Sequence, residues 1–409
     1  MTGARRDVVI TGMGAISALG DRPSVIFEAL CQGRQVFAPP ALFAADVAPG
    51  QWVAEVRDFA PQSYVGKGNL RLLDRTGHLA LVGVELALAD SGWTPERRAE
   101  QPVGLILGTM FCSVKTIAEF DRRAQTAGPE YASPLDFSNT VLNAAAGQVA
   151  IWQRLRGINT TIATGATAGL HAVGYAAQLI RTGRADVLVA GGAEETCFES
   201  FYGFSRANRL ASPRDGGPGR VAPFDEGRTG TAMGEAAAFL VLESEESARA
   251  RGARIVARVA GFGTSFDPHM REAEPRRPNM MAVAIRHALA DAGVSAGDIG
   301  AVVSSAGGSR VPDAREGAGI AEALGSAVPV TAIKSMTGET LGASGPLQAM
   351  TAVLALQAGR LPGVAGLERL DPALSLDVSG QTRPVRATRA LITAIAPEGN
   401  CSAVVLVVA

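Results

Sequence analysis

The sequence predicts an α/β fold of layered helices and buried, largely parallel strands, built as two related halves. Three observations carry this expectation. Strand-like apolar runs alternate with helical periodicity along the whole chain. The composition is that of a tightly packed protein, 47% hydrophobic and 19% charged, with 48 glycines that suit close helix–strand approach. A small-residue turn followed by an apolar helix also occurs twice.

The first strand is read over Asp7–Thr11, where Val-Val-Ile follows a polar start. Apolar spacing predicts a helix over His78–Ser91, then a buried strand over Val103–Leu107. A helix over Asn143–Leu155 precedes a β-branched strand at Asn159–Ala163, a Gly-flanked turn and a long helix over Leu170–Arg181. Apolar strands follow at Asp186–Ala190, Ala237–Leu242 and Ile255–Val259, then a helix over Met281–Ala292. Strands at Ala301–Ser304 and Val328–Ala332 lead to a helix over Leu347–Gln357 and closing strands at Ala390–Ile395 and Ala403–Val408. Ser205–Arg228, rich in Arg, Gly, Pro and Asp, reads as a long surface loop of the kind that often carries function.

The repeat sets Ala166-Thr-Ala-Gly169 and its helix beside Gly342-Ala-Ser-Gly345 and its helix. The pairs Gly169/Gly345, Gly183/Gly359 and Arg184/Arg360 all differ by 176 positions. Two halves are therefore expected, residues 1–252 with insertions and 253–409, their central helices meeting at the N-termini. The charged stretch Glu245–Arg254 lies at the boundary.

A net charge of −1 without a Lys/Arg run argues against nucleic acid or an anionic membrane as partner. Cys31, Cys112, Cys197 and Cys401 are widely spread without metal-ligand spacing, so buried free thiols in a reducing compartment are expected. The polar start and the lack of a spanning apolar window suggest a cytoplasmic protein. No dinucleotide fingerprint or phosphate-binding loop is present, so no cofactor is expected.

The turn at residues 161–171, Thr-Ile-Ala-Thr-Gly-Ala-Thr-Ala-Gly-Leu-His, presents one side chain at a helix N-terminus. The macrodipole and free N–H groups there would lower a thiol's pKa and activate it as a nucleophile. The residue on that pedestal is Ala166, which carries no reactive atom.

An ordered set of motifs resembles the condensing enzymes of the thiolase fold, specifically the β-ketoacyl synthases of fatty-acid and type II polyketide systems. The set comprises Val9-Ile-Thr-Gly-Met-Gly14, Leu72-Leu-Asp-Arg75, Asn143-Ala-Ala-Ala-Gly147, the elbow and Asp186-Val-Leu-Val-Ala-Gly-Gly-Ala193. It continues with Pro223-Phe-Asp-Glu-Gly-Arg228, Met233-Gly-Glu235, Lys334-Ser-Met-Thr-Gly338 and Gly399-Asn400. The resemblance implies a layered α-β-α-β-α sandwich of two βαβαβ halves. It also implies a Cys-His-His triad, in which Cys takes the acyl chain and two His stabilise the enolate formed on decarboxylation.

Carried over position by position, the Cys falls at Ala166, the first His at Ala306 in Ser304-Ser-Ala-Gly-Gly308, and the second His at Glu339. The C-terminal Gly-Phe-Gly gate of active synthases reads Ala396-Pro-Glu-Gly399. Three losses suit a subunit that never performed condensation. Such paralogues resemble chain-length factors, the β-subunits of type II polyketide ketosynthases. The resemblance implies no independent catalysis and a heterodimer with a Cys-containing ketosynthase. It further implies a shared tunnel that limits the polyketide chain, and acyl carrier protein reached through the partner. Factors of aromatic systems usually carry Gln at the Cys position; Ala166 differs, leaving factors of reducing polyene-type systems or another product class. The alternative is a malonyl-carrier-protein decarboxylase or an acyltransferase on the same fold.

The loop Gly108-Thr-Met-Phe-Cys-Ser113 and the helix after it correspond to the family's dimer interface, so Met110, Phe111, Cys112, Val114, Ile117 and Phe137 are the tunnel or interface candidates. Glu339 reads as a helix cap, because an anion would repel an enolate oxygen. His269 reads as structural, and His78, His171 and His287 as packing or surface residues. Thr164 and Thr167 read as caps without a visible base.

Overall fold

The computed structural model describes residues 5–408 except 47, 49, 50, 67, 214–217 and 273–276. Its main sheet contains β1 (Val8–Ser17), β2 (Gly104–Gly108), β3 (Asn159–Ile162), β4 (Val187–Glu194), β5 (Ala236–Ser244) and β6 (Ala257–Phe266). The remaining strands are β7 (Ala301–Ser304), β8 (Pro329–Ala332), β9 (Asp377–Val378), β10 (Arg389–Ile395) and β11 (Asn400–Val407). The strand order is β9-β8-β7-β10-β11-β6-β1-β5-β4-β2-β3. The helices that matter for the site are α1 (Arg75–Ser91), α2 (Val114–Ala127), α3 (Ala144–Gln153) and α4 (Ala168–Arg181). With them are α5 (Phe198–Arg206), α6 (Met280–Ala292), α7 (Arg310–Leu324) and α8 (Ser344–Ala358).

The sheet reads the same way from both ends. In β3-β2-β4-β5-β1 the first two pairings are parallel and the next two antiparallel. The run β8-β7-β10-β11-β6 repeats that pattern, with β9 added in parallel at its edge. Within the sheet, the two half-sheets join where Val9 and Ile10 face Arg258 and Ala257. The strands are thus less parallel than the sequence suggested. A tight turn over residues 396–399 joins β10 to β11, and a connection that short permits only antiparallel pairing.

Helices α4 and α8 lie between the two half-sheets, each touching strands of both. The largest apolar cluster fills this central layer, with Leu170, Val173 and Ile180 of α4 and Leu347, Met350 and Val353 of α8. Outside it, α1 packs with α3 on the first half-sheet and α6 with α7 on the second, completing the α-β-α-β-α sandwich. Gly14 of the Gly-Met-Gly motif lets α1 lie directly on β1, since a Cβ there would meet the backbone of Gly83 and Ala87. Asp74 starts α1 by accepting from Gly77 N at 2.8 Å, and Gly92 ends it in a left-handed conformation.

The sequence repeat is a structural one. A 3₁₀ turn over Gly165–Thr167 opens α4, and another over Leu341–Ala343 opens α8. The two turns touch: a Cβ on Gly169 would strike the Gly342 carbonyl. Ser205–Arg228 is exposed at residues 206–208, 212, 213 and 218, as a surface loop would be, but it closes onto the body of the protein toward its end. Val221, Phe224, Asp225 and Arg228 are buried, because Arg228 and Asp225 tie the segment to Asp371 and to the backbone at 368–369. Residues 214–217 of that segment lie outside the described residues. Glu245–Ala250 forms a short helix capped by Ser244 rather than a bare charged link. Cys112, Cys197 and Cys401 are buried free thiols, while Cys31 is half-buried. Among the described residues no helix is long and apolar enough to cross a membrane.

Candidate functional site

The elbow is held by three features of its own sequence. Gly165 turns the chain at φ +68°, a conformation that L side chains avoid. Thr167 donates to the Thr164 carbonyl at 2.7 Å. His171, one turn into α4, lies with Nδ1 2.6 Å from Thr164 Oγ1 and 3.4 Å from Thr167 Oγ1, and meets Phe262 edge-on. Burial lowers its pKa to about 4, so the imidazole is neutral and shares a hydrogen bond with the Thr164 hydroxyl. The threonines therefore have an imidazole neighbour that the sequence reading missed. The i, i+4 spacing of Thr167 and His171 was its only signal.

Ala166 is 5% exposed and opens onto a cavity of about 40 Å³, room for a few waters. Glu339, Ser305, Gly307, Met110, Phe204 and Asp313 are among the residues around it. Two of the three expected triad positions thus meet in one cavity. The third, Ala306, is 1% exposed between the lining residues Ser305 and Gly307. Among the described residues no thiol and no imidazole lines this space.

Glu339 does more than cap a helix. Its Oε1 accepts from Leu341 N at 3.0 Å and Ser344 Oγ at 2.9 Å, while Oε2 takes Lys334 Nζ at 2.6 Å. Lys334 is 2% exposed, so this carboxylate is what balances a buried ammonium. The sequence reading missed the pair; its signal was Lys and Glu five residues apart across a Gly turn.

Two further buried carboxylates shape the wall at residues 305–308. Asp313 accepts from Gly307 N, Gly308 N and Phe224 N at 3.0–3.2 Å. Glu316 accepts from Ser305 N, Ser305 Oγ and Thr393 Oγ1 at 2.6–3.0 Å. Burial raises the pKa of both, against the hydrogen bonds that hold them down. Both come from α7, a part-buried helix whose charged sequence shows little apolar periodicity.

The loop candidates divide. Met110 lines the cavity, and Phe111 packs with it against Ala166, Phe201, Phe204 and Leu341. The loop is set by Glu194, which accepts from Met110 N, Phe111 N and Cys112 N at 2.7–2.9 Å, from Thr109 Oγ1, and from Gly342 N across the halves. Burial pushes this carboxyl up to about 7. Cys112, at φ +49°, turns its side chain into the core of the first half, away from the cavity, and burial raises its thiol to about 12. Val114 is half-buried on α2, and Ile117 and Phe137 face outward, Phe137 at 62% exposure against Phe120.

His269 bonds Glu272 Oε1 at 2.7 Å, His78 the Leu70 carbonyl and His287 the Thr264 carbonyl. None of them lines the cavity.

The pattern of the β-ketoacyl synthase N-terminal domain matches residues 5–248, and that of the C-terminal domain residues 256–368. The chain belongs to the β-ketoacyl synthase family. Its ketosynthase fold is shared with solved structures. One is described as the ishigamide ketosynthase/chain length factor, with a TM-score of 0.91 and 32% identity, covering 99% of this chain and 100% of that one. Another is a β-ketoacyl synthase from Burkholderia phymatum, with a TM-score of 0.89 and 28% identity over 99% and 100% of the two chains. Among curated relatives, the 3-oxoacyl-[acyl-carrier-protein] synthase 2 of Coxiella burnetii is 34% identical over 71% of this chain and 70% of its own. The proteins this chain resembles therefore include ones named as synthases and a structure described as a ketosynthase/chain length factor.

Proposed function

We propose that this chain is a non-catalytic ketosynthase subunit of the chain-length-factor kind. In this role it pairs with a Cys-containing ketosynthase and helps shape the tunnel that limits polyketide length. The observation that carries the reading is the elbow itself. It is fully built, yet it ends in the methyl group of Ala166, with Ala306 beside the cavity and Glu339 committed to Lys334. Acyl transfer by the family's route needs a nucleophile at the first position and hydrogen-bond donors for an enolate oxygen at the others. A carboxylate at Glu339 supplies the wrong charge.

The surface supports a partner. Among the described residues β3 pairs only with β2 and so forms an open sheet edge. Nearby in sequence, α2 has no buried residue, and the segment after it exposes Tyr131, Leu135, Phe137, Val141 and Leu142. Apolar exposure on that scale suits a protein–protein contact. Met110 and Phe111 on the preceding loop would then project the cavity wall toward the shared tunnel, with acyl carrier protein delivering substrate to the partner.

Co-expression with a Cys-containing ketosynthase paralogue tests this. The reading expects a stable complex of the two chains, and condensation of acyl and malonyl carrier-protein substrates only when both are present. A homodimer that by itself condenses, decarboxylates malonyl carrier protein or transfers acyl groups would replace it with the enzyme alternative.

A further inference from the structure

The cavity at Ala166 has a closure of its own. Arg209 follows α5 and lines the cavity, its guanidinium 5.5 Å above the Phe204 ring. Both terminal nitrogens of Arg209 lie 3.4 Å from Glu398 Oε1. Glu398 stands on the turn between β10 and β11, which is pinned by Ala396 N to Asn400 O at 2.8 Å and Gly399 N to Ala396 O at 2.9 Å. Its other oxygen, Oε2, is buried without a hydrogen-bond partner. That oxygen rests where Gly165 lacks a side chain, 2.9 Å from the place a Cβ would take. The carboxylate is therefore wedged against the residue that precedes Ala166, with Pro397 beside it on the cavity wall.

Leaving a carboxylate oxygen buried and unpaired is costly, and a site kept only for packing would fill the space with an apolar group. We infer that Arg209 and Glu398 form a latch that closes the vacant elbow cavity from outside, so that an acyl or pantetheinyl thioester cannot seat in this subunit. Inside, Glu339 lines the cavity with its carboxylate held by Lys334. The latch makes substrate selection one-sided: in a pair of related subunits, only the other presents an open elbow. The closure belongs to this chain alone and does not depend on whether a partner binds.

The two side chains are 25% and 35% exposed, so the latch is an ion pair at the rim, weak enough to open by local fluctuation. A cysteine placed at the elbow reports that opening. The full-length Ala166→Cys protein would be treated with iodoacetamide, and alkylation at position 166 followed by peptide mass spectrometry. Half-buried Cys31 serves as the internal standard. In this background the thiol should react far more slowly than Cys31. Adding Arg209→Ala or Glu398→Gln should speed alkylation by about fivefold, the scale expected for losing a part-exposed ion pair. Glu398→Gly, which also removes the wedge, should speed it further, and Arg209→Lys should retain most of the protection. Thermal melts confirm that each variant is folded. Equal rates at position 166 in every folded background would overturn the latch, as would a parent thiol already as reactive as Cys31.

Discussion

Helices α8 and α2 stand at opposite extremes of this molecule. Twelve of the fifteen residues of α8 are buried, including Gln348, whose amide donates to carbonyls of β7 and β10. Not one residue of α2 is buried, and the segment that follows it exposes large apolar side chains. The central helices carry the elbows, whereas the cap, α2 with the segment that follows it, packs against α5. On the proposed reading, the contrast separates an elbow architecture kept for packing from an exposed apolar surface available to a partner. The close approach of Gly169 to Gly342 gives the elbows a packing role that needs no nucleophile.

That contrast can be broken from the inside first. Glu339→Ala strands the Lys334 ammonium in the core, so it should lower unfolding free energy by about 3 kcal/mol in urea titration. The double variant Lys334→Met/Glu339→Leu should recover most of that loss, since no unpaired charge remains. A harmless Glu339→Ala would mean that the pair is not structural, and that Glu339 is free for another task.

A comparable effect, confined to acid, is expected at the elbow's rear wall. The folded-state pKa of His171 is depressed by burial from 6.5 to about 4. The folded protein therefore binds fewer protons than the unfolded chain between these values. Stability from this group is fully present above pH 6.5 and is lost as pH falls toward 4, on the order of 3 kcal/mol. Urea unfolding of the wild type and of His171→Phe across pH 4–7 checks the sign: the wild type should lose stability on acidification more steeply than the variant. Equal slopes would show that His171 does not pin the elbow in its neutral form.

The outer cap should behave in the opposite way. Leu135→Ser and Phe137→Ser should change the stability of the isolated chain by no more than about 0.5 kcal/mol, because neither side chain is buried. The same variants should abolish co-purification with the Cys-containing partner. Loss of stability without loss of pairing would assign the cap to the fold of this chain.

Much of this was legible in the sequence, for physical reasons that differ by element. The strand–elbow–helix repeat was visible because close backbone approach demands small residues at fixed spacing, and those spacings survive as the 176-residue offset. The assignment of the triad positions to Ala166, Ala306 and Glu339 rests on neighbours that keep the family's motifs. What stayed hidden was pairing across the chain. Glu194 holds three amides of a loop more than eighty residues away, and Arg209 meets Glu398 across 189 positions. Helix α7 escaped because Asp313, Arg315 and Glu316 are buried in it, so its polarity misled a search for apolar periodicity. Cys112 was placed with the loop it belongs to, whereas its left-handed backbone sends the side chain into the core.

The most direct test follows the acyl group itself. Both subunits of the reconstituted pair would be incubated with acyl carrier-protein substrate and weighed intact by mass spectrometry before malonyl carrier protein is added. The account predicts an acyl adduct on the Cys-containing partner and none on this chain, at any time point. An acyl adduct on this chain, in the pair or alone, would contradict it.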